Sequence, residues 1–176
     1  MSIVSDIEKL KKEKNAVILA HYYVDEDVQD VADYIGDSFY LSKVATKVSQ
    51  DRIIFAGVEF MGESAKILNP KKRVFMPDMN ADCPMAHMAD KDEILALREK
   101  YDDLAVVCYI NSTAELKKYS DVCVTSSNAV KIVKNLPNKN IFFIPDRNLG
   151  SYVAKQCPDK NFIFNNGCCP RLLPPL

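Results

Sequence analysis

The chain has 176 residues, 48% of them hydrophobic and 27% charged, with 23 basic against 24 acidic side chains. This is a globular composition of a size for one domain or two small ones, far from disordered, collagen-like or disulfide-scaffold chains. The balanced charge argues against a general nucleic-acid or anionic-membrane binder, and no apolar run approaches the roughly 20 residues that a membrane span needs. The N-terminal stretch Met1 to Lys14 is charged and lacks a hydrophobic signal core, which points to the cytoplasm. In that compartment the six cysteines are core residues, metal ligands or reactive thiols rather than a disulfide frame.

Short apolar runs alternate with helical patterns. Ala16 to Ala20 predicts a buried strand ending at His21-Tyr22-Tyr23. Apolar residues at helical spacing from Val28 to Val48, interrupted at Gly36-Asp37-Ser38, predict two helices with a tight junction. Ile53 to Gly57 predicts a strand, Phe60 to Leu68 a helix stopped at Asn69-Pro70, and Arg73 to Met76 a strand ended by Pro77. Lys91 to Arg98 predicts a connecting helix. Leu104 to Ile110 predicts a strand, and Thr113 to Lys118 a short helix that Ser112 or Thr113 can cap. Val122 to Val124 predicts a strand and Ala129 to Lys134 a helix; Ile141 to Ile144, Gly150 to Gln156 and Asn161 to Phe164 then predict strand, helix and strand. Strands separated by helices imply an α/β fold of parallel sheets covered on both faces.

An internal repeat is suggested by Val74 to Asp78 set against Phe142 to Asp146, and by the Cys83-Pro84 and Cys169-Pro170 pairs that close each half. This gives domains of 1–88 and 89–176. Ligands of α/β sheets sit at the carboxyl ends of strands. His21, Tyr22 and Tyr23 collect there, as do Tyr109, Asn111 and the run Thr125 to Asn128, while Asp37 and Ser38 open a helix. Helix starts flanked by hydroxyls suit carboxylate or phosphate, so a small anionic substrate is expected. Of the adjacent tyrosines, alternation sends one inward and leaves the other at the strand end. Cys108 and Cys123 lie in strands and are expected in the core, and Cys157 carries no expected role. Cys83, Cys168 and Cys169 lie in loops beside Gly or Pro and are the candidate thiolate ligands.

Several motifs occur in order: Ile18 to Tyr23, Ala32 to Ser38, Phe55 to Leu68, Ala81 to Ala86, Tyr109 to Asn111, Ser120 to Ala129 and Ile144 to Gly150. Together they resemble the quinolinate synthase family from about residue 15 to 170. The resemblance implies a cytoplasmic enzyme of NAD and pyridine nucleotide biosynthesis. Its transferase-type reaction condenses iminoaspartate with dihydroxyacetone phosphate to quinolinate, with functional coupling to L-aspartate oxidase. It also implies three αβα domains about a pseudo-threefold axis, each giving one cysteine to a 4Fe–4S cluster whose open iron acts as a Lewis acid. On the matching motifs, Cys83 and Cys169 resemble cluster ligands, though a one-residue shift would put Cys168 there instead. His21, Ser38, Tyr109, Asn111 and Ser126, with the backbone at Ile110, resemble substrate contacts, and Tyr23 and Tyr109 resemble the tyrosines that assist proton transfer. Leu172 stands where the family has histidine. The expectation is a chain with two of the three domains, ended by a frameshift or a shortened gene, and inactive alone. The alternative is a non-catalytic or complementing module that binds a small dicarboxylate and needs a separate third-domain chain. The DNA immediately downstream decides whether the gene is shortened, and cluster chemistry separates the enzyme fragment from the module.

Overall fold

A computed structural model describes residues 2–170. The chain divides into two compact units, one running to Asp82 and one starting at Cys83. The segment 83–88, grouped with the first half by sequence, therefore packs with the second.

The first unit orders its elements as α1 (Ile3–Glu13), β1 (Ala16–His21), α2 (Glu26–Asp30), β2 (Tyr34–Gly36), α3 (Ser38–Lys47), β3 (Arg52–Ala56), α4 (Glu59–Leu68) and β4 (Arg73–Phe75). The second begins with a 3₁₀ turn, Pro84–His87. It continues with α5 (Lys91–Lys100), β5 (Leu104–Tyr109), α6 (Ala114–Lys118), β6 (Val122–Val124), α7 (Ala129–Asn135), β7 (Asn140–Ile144), α8 (Arg147–Gln156) and β8 (Asn161–Phe164). Both sheets are four-stranded and wholly parallel, ordered β2-β1-β3-β4 and β6-β5-β7-β8. Among the described residues no helix is long and apolar enough to cross a membrane.

The repeat is real, but its register differs from the sequence alignment. Ala16 pairs with Arg52 and Leu104 with Asn140; Arg52 pairs with Arg73 and Asn140 with Asn161; Leu19 pairs with Tyr34 and Val107 with Val122. One constant spacing thus matches β1 to β5, β2 to β6, β3 to β7 and β4 to β8. Val74 corresponds to Phe162, and Phe142 to Ile54. The likeness of Val74–Asp78 to Phe142–Asp146 arose because apolar strands ending in proline look alike. In the same register α1 is the counterpart of α5. Thus α5 is a layer of its unit rather than a connector, and its Ile94 is buried against the sheet.

Tyr34–Gly36 is a strand, not the end of a helix. Val31, Ala32 and Ile35 mimic helical spacing, but Tyr34, Ile35 and Gly36 pair with Leu19, Ala20 and His21. An aspartate fixes this short edge strand. Asp33 N donates to Ile18 O at 2.9 Å, and Asp33 Oδ2 accepts from Ile18 N at 2.8 Å. Asp121 does the same in the second unit: its N donates to Val106 O at 3.0 Å, and Oδ2 accepts from Val106 N at 2.7 Å. A cation from the preceding long helix completes each bridge. Lys11 Nζ lies 2.9 Å from Asp33 Oδ1, and Arg98 Nη2 lies 2.9 Å from Asp121 Oδ2. The same cations donate to Val31 O and Tyr119 O.

In the second unit one sheet face packs Ala105, Val107, Ile141 and Phe143 against Ala129 and Val133 of α7, Val153 of α8 and Cys157 just past the end of α8. The other packs Val106, Cys108, Phe142 and Ile144 against Ile94 of α5 and Leu116 of α6. This is a three-layer αβα arrangement. Cys157, given no role by sequence, is fully buried there. The first unit fills the face beneath α1 less completely. Ala16, Ala20 and Ala56 stand where the second unit has Leu104, Cys108 and Ile144. A cleft of about 390 Å³ remains, lined by Ile7, Leu10, Ile18, Ile54 and Phe75 among others.

Replacing Asp121 with alanine leaves Val106 N without its acceptor and is expected to cost about 1–2 kcal/mol in urea unfolding. Asp121→Asn keeps an acceptor and loses only a half-exposed ion pair, so it should cost clearly less. Equal losses would mean that the ion pair dominates.

Candidate functional site

Strand β1 ends at His21 because the next residues turn back: Val24 N donates to His21 O at 3.0 Å, and Tyr22 N donates to Gly36 O at 3.3 Å. The turn ends strand alternation, so neither tyrosine packs inward; Tyr22 is 47% exposed and Tyr23 83%. The three rings instead form a cluster. His21 stacks on Tyr22 with centroids 4.6 Å apart and meets Tyr23 edge-on at 4.7 Å, and the two tyrosines meet edge-on at 4.7 Å. Tyr23 N donates to His21 Nδ1 at 3.2 Å. The acceptor at Nδ1 places the imidazole proton on Nε2, so the neutral ring offers one donor. Burial lowers the His21 pKa below its usual 6.5, and the charge of Asp37 opposes this only in part.

Asp37 caps α3, its Oδ1 accepting from Tyr40 N at 2.7 Å. Ser38 is then the first helical residue and is half-buried. Its carbonyl accepts from Ser42 Oγ at 2.7 Å.

The second unit places Tyr109, Ile110 and Asn111 in the register positions of His21, Tyr22 and Tyr23, and Ser126 in that of Ser38. Tyr109 ends β5 half-buried, and Asn111 is also half-buried. The backbone at Ile110 is well occupied: its N donates to Val124 O, and its O accepts from Ser112 N, both at 2.8 Å. Ser112 is fully buried and donates to Tyr109 O at 2.8 Å, while Thr113 caps α6 through Leu116 N. The hydroxyl-rich run 125–128 is largely satisfied internally. Thr125 N donates to Asn128 Oδ1 at 2.7 Å, and Thr125 Oγ1 shares a hydrogen bond with Ser127 Oγ at 2.9 Å. Ser126 and Ser127 are both exposed, and Ser127 is the one bonded to Thr125.

The cysteine loops follow the same repeat. Glu59 N donates to Ala81 O, and Arg147 N donates to Gly167 O, each at 2.8 Å. Counting on from these matched carbonyls pairs Cys83 with Cys169 and Pro84 with Pro170, and leaves Cys168 opposite Asp82. Cys83, Cys168 and Cys169 are all half-buried. The two loops are tied together. Buried Asn165 donates through Nδ2 to Met88 O at 2.7 Å. A side chain at Gly167 would meet Pro145 O at 2.5 Å and Met88 Cβ at 2.7 Å, so only glycine allows this approach. Asn165, Gly167 and Met88 were not singled out in the sequence; the adjacent Asn-Asn-Gly, a turn signal, was the available clue. The donor set suits a thiophilic iron centre in part. Cys83 and Cys169 occupy equivalent half-buried loop positions, but no group of three metal-binding side chains converges among the described residues. Leu172, where the family histidine was expected, lies outside the described residues.

Because the unfolded chain takes up the His21 proton at a higher pH than the folded chain, stability falls as pH drops through about 6.5. The His21 resonance should titrate below 6.5, and Asp37→Asn should move it lower still; an upward move would show that Asp37 does not act on the ring. Gly167→Ala should cost about 1–3 kcal/mol in thermal or urea unfolding, because backbone and Cβ atoms line the space its methyl would enter. A neutral effect would mean that the loop is loosely held.

The description "NadA: Quinolinate synthetase A protein" belongs to a family model that matches residues 5–171. The chain is 66% identical over 163 residues to the quinolinate synthase of Fusobacterium nucleatum, covering 93% of this chain and 55% of that protein. It is 55% identical over 163 residues to that of Clostridioides difficile, covering 93% and 54%, and 54% identical over 167 residues to that of Caldicellulosiruptor saccharolyticus, covering 95% and 55%. The chain thus spans just over half the length of these relatives. With a match running through both sheet units and both Cys-Pro loops, the chain belongs to the quinolinate synthetase A family.

Proposed function

We propose that the chain supplies two αβα domains of a quinolinate synthase, acting in NAD biosynthesis on iminoaspartate and dihydroxyacetone phosphate. The observation that carries this reading is the family match over residues 5–171, together with the repeat that sets Cys169 in the position of Cys83. On this reading Cys83 and Cys169 are two thiolate ligands of a 4Fe–4S cluster, and Cys168 is a bystander. When bound, such a cluster supplies an iron that acts as a Lewis acid. The third thiolate would come from sequence outside these 176 residues.

The remaining roles belong to this chain's side chains. His21 offers its Nε2 proton to a substrate oxygen, and the Tyr23 backbone fixes that tautomer. Ser38 presents a hydroxyl at the positive end of a ten-residue helix, where a carboxylate or phosphate is favoured. Ser126 and Asn111 add neutral donors, and the free side of the Ile110 carbonyl adds an acceptor. Tyr23 and Tyr109 carry phenols able to give and take a proton during the condensation. A cytoplasmic location and coupling to an L-aspartate oxidase, whose unstable product would be used at once, complete the proposal.

The test uses the chain alone and the chain supplied with the remaining portion of a relative, as a fusion or a second polypeptide, each reconstituted anaerobically with iron and sulfide. We expect no quinolinate from the chain alone and turnover once it is completed. In the completed protein, Cys83→Ala and Cys169→Ala should lose iron and activity, and Cys168→Ala should keep both. Turnover by the chain alone would refute its dependence on further sequence. Iron loss in Cys168→Ala but not in Cys169→Ala would reverse the ligand assignment. A completed protein that binds dicarboxylate without turnover would favour a binding module.

A further inference from the structure

Cys108 and Cys123, expected in the core, have opposite surroundings. Cys108 is fully buried beneath Ile94 and Leu116, whereas Cys123 is exposed because β6 is an edge strand. They are direct cross-strand partners in the β5–β6 register. Register partners point to the same side of a sheet, and neighbouring strands lie about 4.7–4.9 Å apart. That separation falls within the roughly 4.4–6.8 Å Cα spacing that a disulfide spans. Cys108 Sγ lies within hydrogen-bond reach of Tyr109 O at 3.5 Å. The neighbouring Cys123 thiol, against the desolvation of the buried site, holds the Cys108 pKa down to about 7, and Cys108 in turn pushes Cys123 up. The hydroxyls of Ser112 and Ser120 stand near Cys108, but their protons go to Tyr109 O and Leu116 O. The Cys123 proton is therefore the principal one supporting the Cys108 thiolate.

We propose that Cys108 and Cys123 form a redox-reactive dithiol that a hydroperoxide closes, reversibly, into a disulfide between β5 and β6. Cys108 holds the negative charge of the pair, and solvent reaches the Cys123 sulfur. That sulfur attacks a peroxide oxygen as its proton passes to the Cys108 thiolate; an S–O bond forms, the O–O bond breaks, and the departing hydroxide takes up a proton. Cys108 then attacks the Cys123 sulfenic sulfur, the S–S bond forms, and the S–O bond breaks with loss of a second hydroxide. Overall the two thiols give up two electrons and two protons, and hydrogen peroxide becomes two waters. Cys157 is sealed in the core, and Cys83, Cys168 and Cys169 lie on loops. The proposal does not depend on the enzymatic reading, because its readout is covalent.

The reduced full chain would be treated with hydrogen peroxide, its free thiols alkylated, and its peptides analysed by mass spectrometry. We expect a peptide pair joined through Cys108 and Cys123 to outnumber every other cysteine pair and to disappear after dithiothreitol. It should persist in a Cys83→Ser/Cys168→Ser/Cys169→Ser variant and be lost in Cys123→Ser, whose exposed position leaves folding intact by circular dichroism. The proposal is overturned if other pairs dominate, or if Cys123 oxidises while Cys108 is recovered as a free thiol.

Discussion

Each sheet depends on one carboxylate doing a backbone's work. A three-residue parallel edge strand offers few ladder bonds, and parallel pairing is slightly weaker per residue than antiparallel pairing. Asp33 and Asp121 add a bond at the start of each edge strand by accepting from the amide of the central strand while their own amide donates to its carbonyl. Lys11 and Arg98 hold the carboxylates from the helix layer. Sheet, edge and outer helix are thereby set in one register, and that register decides where the strand ends fall. The ring cluster of the first unit and the Tyr109–Asn111 segment of the second are displayed at those ends.

A second lysine shows the same economy. Lys72 donates to Ala45 O and Val48 O, and Lys160 donates to Leu136 O and Asn138 O. In both units an ammonium satisfies the orphan carbonyls around a helix end. The two units share the same kinds of polar bridge, with Asp33 and Lys72 at the register positions of Asp121 and Lys160, while their apolar filling has diverged. Hydrogen bonds have demanding geometry, so changing one partner strands the other. Apolar side chains exchange more freely as long as volume is roughly kept. The cleft beneath α1 marks where the first unit's volume was not fully kept.

The sequence showed the long strands and most helices because continuous apolar runs and helical spacing are strong signals. It did not show β2, whose Tyr34 and Ile35 are exposed and whose strand character comes from partners on β1. The repeat was visible as element order, but its register depended on Asp33 and Asp121, polar residues that an apolar alignment passes over. That His21 and Tyr109 stand at strand ends was legible from topology. What escaped notice was long-range: the tie from Asn165 to Met88, the close approach of Gly167, and the exposure of Cys123 on an edge that only the strand order defines.

The Asn165 contact has a consequence in time. Met88 and Asn165 are 77 residues apart, and a ribosome delivers the earlier one first. Met88, which follows the 3₁₀ turn after Cys83, leaves the ribosome behind the strands of the first sheet, yet the Asn165 loop that bonds to it is made only after β8. The Asn165 loop therefore sets when the end of the first Cys-Pro segment is tied down.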